Sequence, residues 1–132
     1  MLVTQANTAA FSIRFTADKM KGRINMNVLQ ELYEIVLERK SSFQEGSYTC
    51  YLFSKGEDKI LKKCGEECSE TIIAAKNNDN TELSNEIADL LYHILVLCAE
   101  KNLPWSEVEA VLEERRQKIG NLKTFHQTDK NT

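Results

Sequence analysis

Four acidic residues lie in two pairs, on two successive stretches that are predicted to be helical. They are Glu67 and Glu70, then Glu86 and Asp89. Each residue of an α-helix advances the face by about 100°, so the members of each pair share a face. Carboxylates crowded together repel one another strongly, and a hard divalent cation relieves that repulsion. If the two helices pack antiparallel, the spacing predicts a site for Mg²⁺, with Mn²⁺ as an alternative.

Three further charged residues share the face of the first acidic pair. Lys59 and Lys63 lie about two turns and one turn before Glu67, in the same sector as Glu66. The lysine ammonium groups can hold phosphate oxygens, and protein-bound Mg²⁺ commonly also binds substrate phosphates. The combination points to hydrolysis of a phosphoric anhydride by a metal-activated water.

Each of these features also has an ordinary explanation. Pairs of the form Glu-x-x-Glu are common on solvated helices, and the neighbouring lysines fit surface ion pairs four residues apart. Two such pairs beside apolar stripes on consecutive helices fit a metal site and solvated surface pairs equally well. His93 follows Asp89 by four residues and fits a metal ligand, a phosphate donor or a paired core histidine.

The hydrophobic pattern predicts an all-α fold, an antiparallel helical bundle without strands. Capping boxes at Ser54 and Ser106 are predicted to open two of the helices. Gly65, inside one helix, fits either a close approach by a neighbour or a tolerated kink. Residues 41–53 are predicted to form a loop. The four predicted helices span about 25–40, 54–76, 81–101 and 106–119.

The composition fits one globular domain of 132 residues. A net charge of −3 argues against binding nucleic acid through a general basic field. No apolar run approaches the roughly 20 residues of a membrane span, and no secretory signal precedes the cysteines, so we expect a cytoplasmic protein with reduced thiols. Cys64 and Cys68 are predicted to be core thiols, with a zinc site as the less favoured alternative.

Three segments are expected along the chain. Residues 1–24 form an N-terminal extension, residues 25–120 the helical domain and residues 121–132 a polar tail. The extension is weakly basic and lacks any helical or strand period, which predicts poor packing or an organelle transit peptide. Because so small a domain buries a modest core, its size is compatible with a homo-oligomer.

The residues around the acids resemble a known family. Two strings are similar to the metal motif of the MazG-like all-α nucleotide pyrophosphohydrolases: Glu66-Glu67-x-x-Glu70 and Glu86-x-x-Asp89. Over about residues 28–116, three flanking strings narrow the resemblance to the phosphoribosyl-ATP pyrophosphohydrolases of histidine biosynthesis: EGSYT at 45–49, LFSKGEDKILKKCGEE at 52–67 and ADLLYH at 88–93.

This resemblance implies an activity and a set of site residues. The activity is hydrolysis of phosphoribosyl-ATP to phosphoribosyl-AMP and pyrophosphate, with Mg²⁺, by a cytoplasmic homodimer whose fold is completed by dimerisation. The implied metal ligands are Glu67, Glu70, Glu86 and Asp89. Glu66 joins Glu67 and Glu70 in the implied catalytic set. The implied substrate contacts are Lys59, Lys63, Tyr48, Thr49 and His93.

Three other functions stay open. A house-cleaning hydrolase of (d)NTPs would use the same acids, although the flanking strings argue against it. A di-iron or di-manganese bundle would require Glu-x-x-His, whereas Leu90 precedes His93 by three residues. A non-catalytic helical dimerisation module would not need the acids at all.

Overall fold

The chain folds into helices throughout the part that can be described. A computed structural model describes residues 27–118, which contain no strand, so the all-α prediction is confirmed. No described helix is long and apolar enough to cross a membrane. The predicted extension and tail, 1–24 and 121–132, lie outside the described residues. The described helices are α1 (Val28–Ser41), α2 (Tyr48–Lys55), α3 (Glu57–Lys76), α4 (Asn80–Glu100) and α5 (Trp105–Gln117).

The two longest helices, α3 and α4, form a hairpin that carries the predicted acids. The chain turns at Asn78, whose φ of 54° lies in the left-handed region that asparagine tolerates. Asp79 then caps α4 by accepting a hydrogen bond from the backbone N–H of Glu82 at 3.0 Å. Because the connection is so short, α3 and α4 pack as antiparallel neighbours, as the sequence predicts.

The hydrophobic core lies along the second half of α4. Leu95 and Val96 of this helix are fully buried against Val36 of α1 and Leu52 of α2. The hydroxyl of Tyr33 donates a hydrogen bond to the Leu103 carbonyl at 2.7 Å, which ties α1 to the connection between α4 and α5. The core therefore leaves the first half of α4, with its acids, to face α3.

The prediction of a loop over residues 41–53 is wrong in its second half, where α2 begins. The Ser47 hydroxyl accepts a hydrogen bond from the Cys50 N–H at 3.2 Å and so caps the helix. Just before it, Gly46 has a φ of 79° that turns the chain into this cap. A helix of eight residues spans barely two turns, which is too short for its apolar period to be recognised.

Both predicted capping boxes are also wrong in their detail. Gly56, with a φ of 91°, precedes α3 and no side chain caps that helix. The Ser54 hydroxyl instead donates to the Tyr51 carbonyl at 2.7 Å within α2. Pro104 precedes α5, so Ser106 lies inside its first turn. A proline suits this position because the first N–H groups of a helix have no partner within it.

The cysteines do not follow the predicted arrangement. All four are free thiols, and it is Cys50 and Cys98 that are buried. Cys64 is half-buried and Cys68 is exposed, so the prediction of two core thiols on α3 is wrong for Cys68, which lies on the outer face of the helix. Among the described residues, the only group of three or more possible metal ligands within mutual reach contains no cysteine.

Candidate metal centre

Three of the four predicted metal ligands converge between α3 and α4. Glu67 and Glu70 of α3 and Glu86 of α4 each place a carboxylate oxygen within 4.8 Å of the others. Glu67 is 0% exposed and Glu86 is 4% exposed, whereas Glu70 is half-buried. The hairpin therefore gathers three carboxylates, two of them deep inside the protein. We call Glu67, Glu70 and Glu86 the acid group.

Three buried oxygens of the acid group have no hydrogen-bond donor in the described part of the chain. Within residues 27–118, no donor bonds to either carboxylate oxygen of Glu67 or to Oε2 of Glu86. The nearest positive charge is Lys63 Nζ, 3.4 Å from Glu67 Oε1. Leaving such buried acceptors unsatisfied costs at least about 1–3 kcal/mol. A cation would satisfy them, and a set of oxygen donors alone fits Mg²⁺ or Mn²⁺ better than a softer metal.

Burial also changes the acidity of the acid group. The pKa of Glu67 is raised to about 7, first by burial and then by the neighbouring Glu70 carboxylate. The pKa of Glu86 is raised to about 8 by burial and by the carboxyl groups around it, Glu70 first. Both side chains therefore tend to hold protons near neutral pH, and a bound divalent cation would displace those protons.

Asp89, the fourth predicted ligand, lies beside the acid group and not within it. It is half-buried one turn after Glu86 on α4. Burial raises its pKa, and the negative charge of Glu70 raises it further, so Asp89 is close enough to interact with that carboxylate. Its role as a metal ligand stays a prediction.

Lys63 occupies the inner side of the site. It is 4% exposed, and its Nζ donates a hydrogen bond to Glu66 Oε2 at 3.0 Å. Burial lowers the pKa of Lys63, but the hydrogen bond to Glu66 and the surrounding negative charges outweigh burial and raise it. The same hydrogen bond lowers the pKa of Glu66, and the charge of the half-buried Lys59 acts in the same direction. The phosphate contacts of Lys59 and Lys63 stay predictions.

Helix α2 brings Tyr48 and Thr49 to α4. The Tyr48 hydroxyl lies 3.2 Å from Nε2 of His93, and Nδ1 of His93 lies 2.7 Å from the Asp89 carbonyl oxygen. Thr49 Oγ1 hydrogen-bonds to the hydroxyl of Tyr92, whose pKa burial raises to about 12. The substrate contacts of Tyr48, Thr49 and His93 stay predictions. Nothing in the sequence distinguishes Tyr92, because a tyrosine in an apolar stripe has the pattern of any core residue.

An all-helical fold with carboxylates converging from a helical hairpin has the architecture expected of an all-α nucleotide pyrophosphohydrolase. The sequence profile of the phosphoribosyl-ATP pyrophosphohydrolase family matches residues 29–116. A phosphoribosyl-ATP pyrophosphatase of Clostridium botulinum is 55% identical over 102 residues, 77% of this chain and 93% of the relative. One of Listeria welshimeri is 56% identical over 102 residues, 77% of this chain and 98% of the relative. The chain therefore belongs to the phosphoribosyl-ATP pyrophosphohydrolase family and is a hydrolase.

Proposed function

We propose that this chain hydrolyses phosphoribosyl-ATP to phosphoribosyl-AMP and pyrophosphate, the second step of histidine biosynthesis. The observation that carries the proposal is the acid group, in which buried carboxylate oxygens converge without donors. Family membership supplies the substrate, because the curated relatives compared above are named phosphoribosyl-ATP pyrophosphatase. Oxygen ligands and a phosphorylated substrate together point to chemistry assisted by a hard divalent cation.

Mg²⁺, with Mn²⁺ as a substitute, is the cofactor that these side chains fit. Glu67, Glu70 and Glu86 would hold the ion, with Asp89 beside them as a further oxygen ligand. When bound, such an ion polarises a phosphoryl group and lowers the pKa of an attacking water.

The neighbouring side chains supply the remaining functions. Glu66 is partly exposed and the hydrogen bond from Lys63 lowers its pKa, so it is ionised at neutral pH and able to orient a water or accept its proton. Lys63 keeps a positive charge next to Glu67 and limits the repulsion within the acid group. Lys59, one turn before Lys63, is the more accessible of the two lysines for a phosphate oxygen.

Conservative changes to the acids test the proposed reaction. Glu70→Gln and Asp89→Asn keep the shape of each side chain, so we expect unchanged helical content by circular dichroism. Release of pyrophosphate from phosphoribosyl-ATP should fall by more than the about 10- to 100-fold typical of residues behind a metal's ligands. Asp58→Asn, at an exposed acid of the same helix α3, should leave the rate unchanged.

The same assay separates the other functions. Turnover of dNTPs without turnover of phosphoribosyl-ATP would assign the chain to house-cleaning of nucleotides. Hydrolysis that survives both Glu70→Gln and Asp89→Asn would remove these acids from the reaction. If the unaltered protein folds but hydrolyses neither phosphoribosyl-ATP nor dNTPs, the result would favour a non-catalytic helical module.

We also propose that two copies of the chain associate through the outer face of α3. Leu61, Gly65, Cys68 and Ile72 follow one another at helical spacing on that face, and all are exposed. Leu61 is 45% exposed and Ile72 is 64% exposed, and a Cβ at Gly65 would meet no atom within 4 Å. An apolar stripe of this kind on a soluble helix indicates a protein contact.

Sedimentation of the purified chain tests this association. We expect a dimer, and we expect Ile72→Glu to shift it to a monomer, because the new carboxylate would be buried unpaired in the contact. Val111→Glu places the same charge on an exposed apolar position of α5 and should leave the dimer intact. A monomeric unaltered chain, or a dimer that both variants preserve, would contradict the proposed face.

A cytoplasmic setting without a nucleic-acid partner completes the proposal. The four cysteines are free thiols, as expected in a reducing compartment. The net charge of −3 provides no general basic field for a nucleic acid.

A further inference from the structure

The two ring nitrogens of His93 have different hydrogen-bond partners, and one partner determines where the proton lies. Nδ1 is 2.7 Å from the backbone carbonyl oxygen of Asp89. A carbonyl oxygen only accepts hydrogen bonds, so Nδ1 must carry the hydrogen and donate it. His93 is only 2% exposed, and an imidazole buried to this extent is favoured in its neutral form. Nε2 therefore holds a lone pair and not a second hydrogen.

The lone pair on Nε2 fixes the direction of the Tyr48 hydroxyl. The two atoms are 3.2 Å apart, and with Nε2 unprotonated the hydroxyl must donate. A phenol has one hydrogen, so this bond uses the only donor that Tyr48 possesses. Toward any other group, Tyr48 can therefore act only as a hydrogen-bond acceptor, through the lone pairs of its oxygen.

The packing around His93 keeps this arrangement in place. The rings of Tyr48 and Tyr92 both meet the imidazole at steep angles, 83° and 75°, with centroids 5.9 Å and 5.1 Å away. A flipped His93 ring would place carbon atoms where Nδ1 and Nε2 now bond. The hydrogen bond of Thr49 to Tyr92 holds α2 and α4 together beside it.

Tyr48 also lies at the margin of the candidate metal centre. Its hydroxyl contacts His93, which is bonded to the backbone of Asp89 beside the acid group. Burial raises the pKa of Tyr48, and the charges of Lys63 and Glu67 also influence it. The free lone pairs of the Tyr48 oxygen are thus available near the place where the proposed substrate is cleaved.

We infer that His93 is a positioning residue that holds Tyr48 as a hydrogen-bond acceptor, and that Tyr48 binds a hydroxyl or amino group of the nucleoside part of the substrate. Ionised phosphate oxygens only accept hydrogen bonds, so Tyr48 does not bind them in this arrangement. This inference rests on the proposed function, because it presumes a nucleotide substrate. It assigns Tyr48 to substrate discrimination and leaves phosphate binding to the lysines and the cation.

The first test measures the tautomer directly in the intact protein. Nitrogen-15 NMR of the histidine side chains distinguishes a protonated from an unprotonated ring nitrogen. We expect His93 to show a protonated Nδ1 and an unprotonated Nε2 above its lowered pKa, without substrate or metal. A protonated Nε2 would overturn the inference. This measurement remains decisive even if the protein does not hydrolyse phosphoribosyl-ATP, which would separately refute the proposed function.

A matched pair of variants tests the positioning role. In His93→Gln the amide can replace Nε2 as the acceptor for Tyr48, whereas in His93→Asn it can replace only the donor to the Asp89 carbonyl. If both variants have similar melting temperatures, His93→Gln should keep most of the affinity for the nucleotide, and His93→Asn should resemble Tyr48→Phe. The double variant His93→Asn, Tyr48→Phe should be no worse than either single one. Equal losses in His93→Gln and His93→Asn would overturn the positioning role.

The second probe is inorganic pyrophosphate, the proposed product, which carries only phosphate oxygens. Tyr48→Phe should raise the KM for phosphoribosyl-ATP by about 10-fold, the loss expected for one hydrogen bond. Inhibition by pyrophosphate should not change, and Tyr51→Phe, one turn further along α2, should change neither value. If Tyr48→Phe weakens inhibition by pyrophosphate as much as it raises KM, Tyr48 binds phosphate and the inference fails.

Substrate analogues distinguish the two possible donors. The rise in KM caused by Tyr48→Phe should disappear for an analogue that lacks the hydroxyl or amino group from which the Tyr48 oxygen accepts a hydrogen bond. Loss of the penalty with a deoxyribose analogue identifies the sugar, and loss with an analogue without the exocyclic amine identifies the base. A penalty that persists with every such analogue would contradict the assignment.

Discussion

Glu67 shows at the level of a single residue how a candidate metal ligand weakens the protein that carries it. It is as fully buried as the aliphatic core residue Leu95, yet neither of its oxygens receives a hydrogen bond from the described part of the chain. A hydrophobic residue of similar size would be more favourable in that position. Its presence makes sense only if a ligand completes its environment.

Replacing Glu67 should therefore raise the free energy of unfolding of the metal-free protein and remove the further stabilisation by Mg²⁺. Glu67→Gln removes one of the three crowded carboxylate charges and leaves Lys63 paired with Glu66, so at pH 8 without metal we expect a rise of about 1–3 kcal/mol in the free energy of unfolding. Urea unfolding with and without Mg²⁺ measures both effects. A variant that is less stable than the unaltered protein, or that Mg²⁺ still stabilises as strongly, would contradict this account.

The positions of the acids were predictable at this scale, but their environments were not. Spacing alone placed Glu67 and Glu70 on one face and Glu86 near them across the hairpin. The spacing along α3 also allowed Lys63 to pair with Glu66 and Glu67. That Lys63 is buried while it does so depends on how closely α3 and α4 pack, which no local pattern records. For the same reason the sequence could not show that His93 is joined to Tyr48 of a different helix.

At the scale of elements, α2 carries Tyr48 and Thr49, two of the predicted substrate contacts. It is eight residues long, and isolated helices of that length are unstable, so its cap and its packing must hold it. Ser47 caps it, and the side chains of Tyr48 and Thr49 reach α4 from its first turn.

The cap of α2 provides a prediction with an internal control. Ser47→Ala removes the hydroxyl that accepts from the Cys50 N–H, so we expect a loss of about 1 kcal/mol in thermal or urea unfolding. Ser54→Ala alters the serine that the sequence pattern suggests as a cap for α3. Because Ser54 only bonds within α2 and is exposed, the loss should stay within about 0.5 kcal/mol. The opposite order would mean that the caps are assigned to the wrong serines.

The helices with many turns were predictable, whereas the short connections were not. Helix α4 is 21 residues long, so its apolar stripe repeats over several turns, and the end of α3 at Lys76 is set by the Asn and Asp residues that follow. The beginning of α3 was misplaced because Gly56 can start a helix without any side-chain signal. Apolar residues 50, 52 and 53 fit the end of a loop as well as a helix, because a helix of two turns is too short to reveal a period of 3.6 residues.

For the whole molecule, the raised pKa values of the acid group determine how stability depends on pH. Glu67 and Glu86 titrate near 7 and 8 when folded and near 4.5 when unfolded. Between about pH 4.5 and 8 the folded protein thus binds more protons than the unfolded chain. Stability without metal must then be highest below pH 4.5, as far as these two groups determine it, and must fall as the pH rises through 7 and 8.

Chemical denaturation at several pH values, with and without Mg²⁺, checks this dependence. We expect the metal-free protein to lose at least about 1 kcal/mol between pH 5 and pH 8. Saturating Mg²⁺ should cancel or reverse the loss, because the cation replaces the protons on the carboxylates. Glu67→Gln should flatten the metal-free curve. Stability that rises with pH in the metal-free protein over this range would contradict the raised pKa values.

The location of the acid group on one hairpin has a consequence for the order in which the protein forms. All three carboxylates come from α3 and α4, which are neighbours in the chain, and contacts between neighbours close with little loss of entropy. During synthesis this hairpin leaves the ribosome before α5 does. The nascent chain therefore meets the repulsion among its acids early, and free Mg²⁺ at that moment would favour the closed hairpin, so that the proposed metal cofactor would also guide folding.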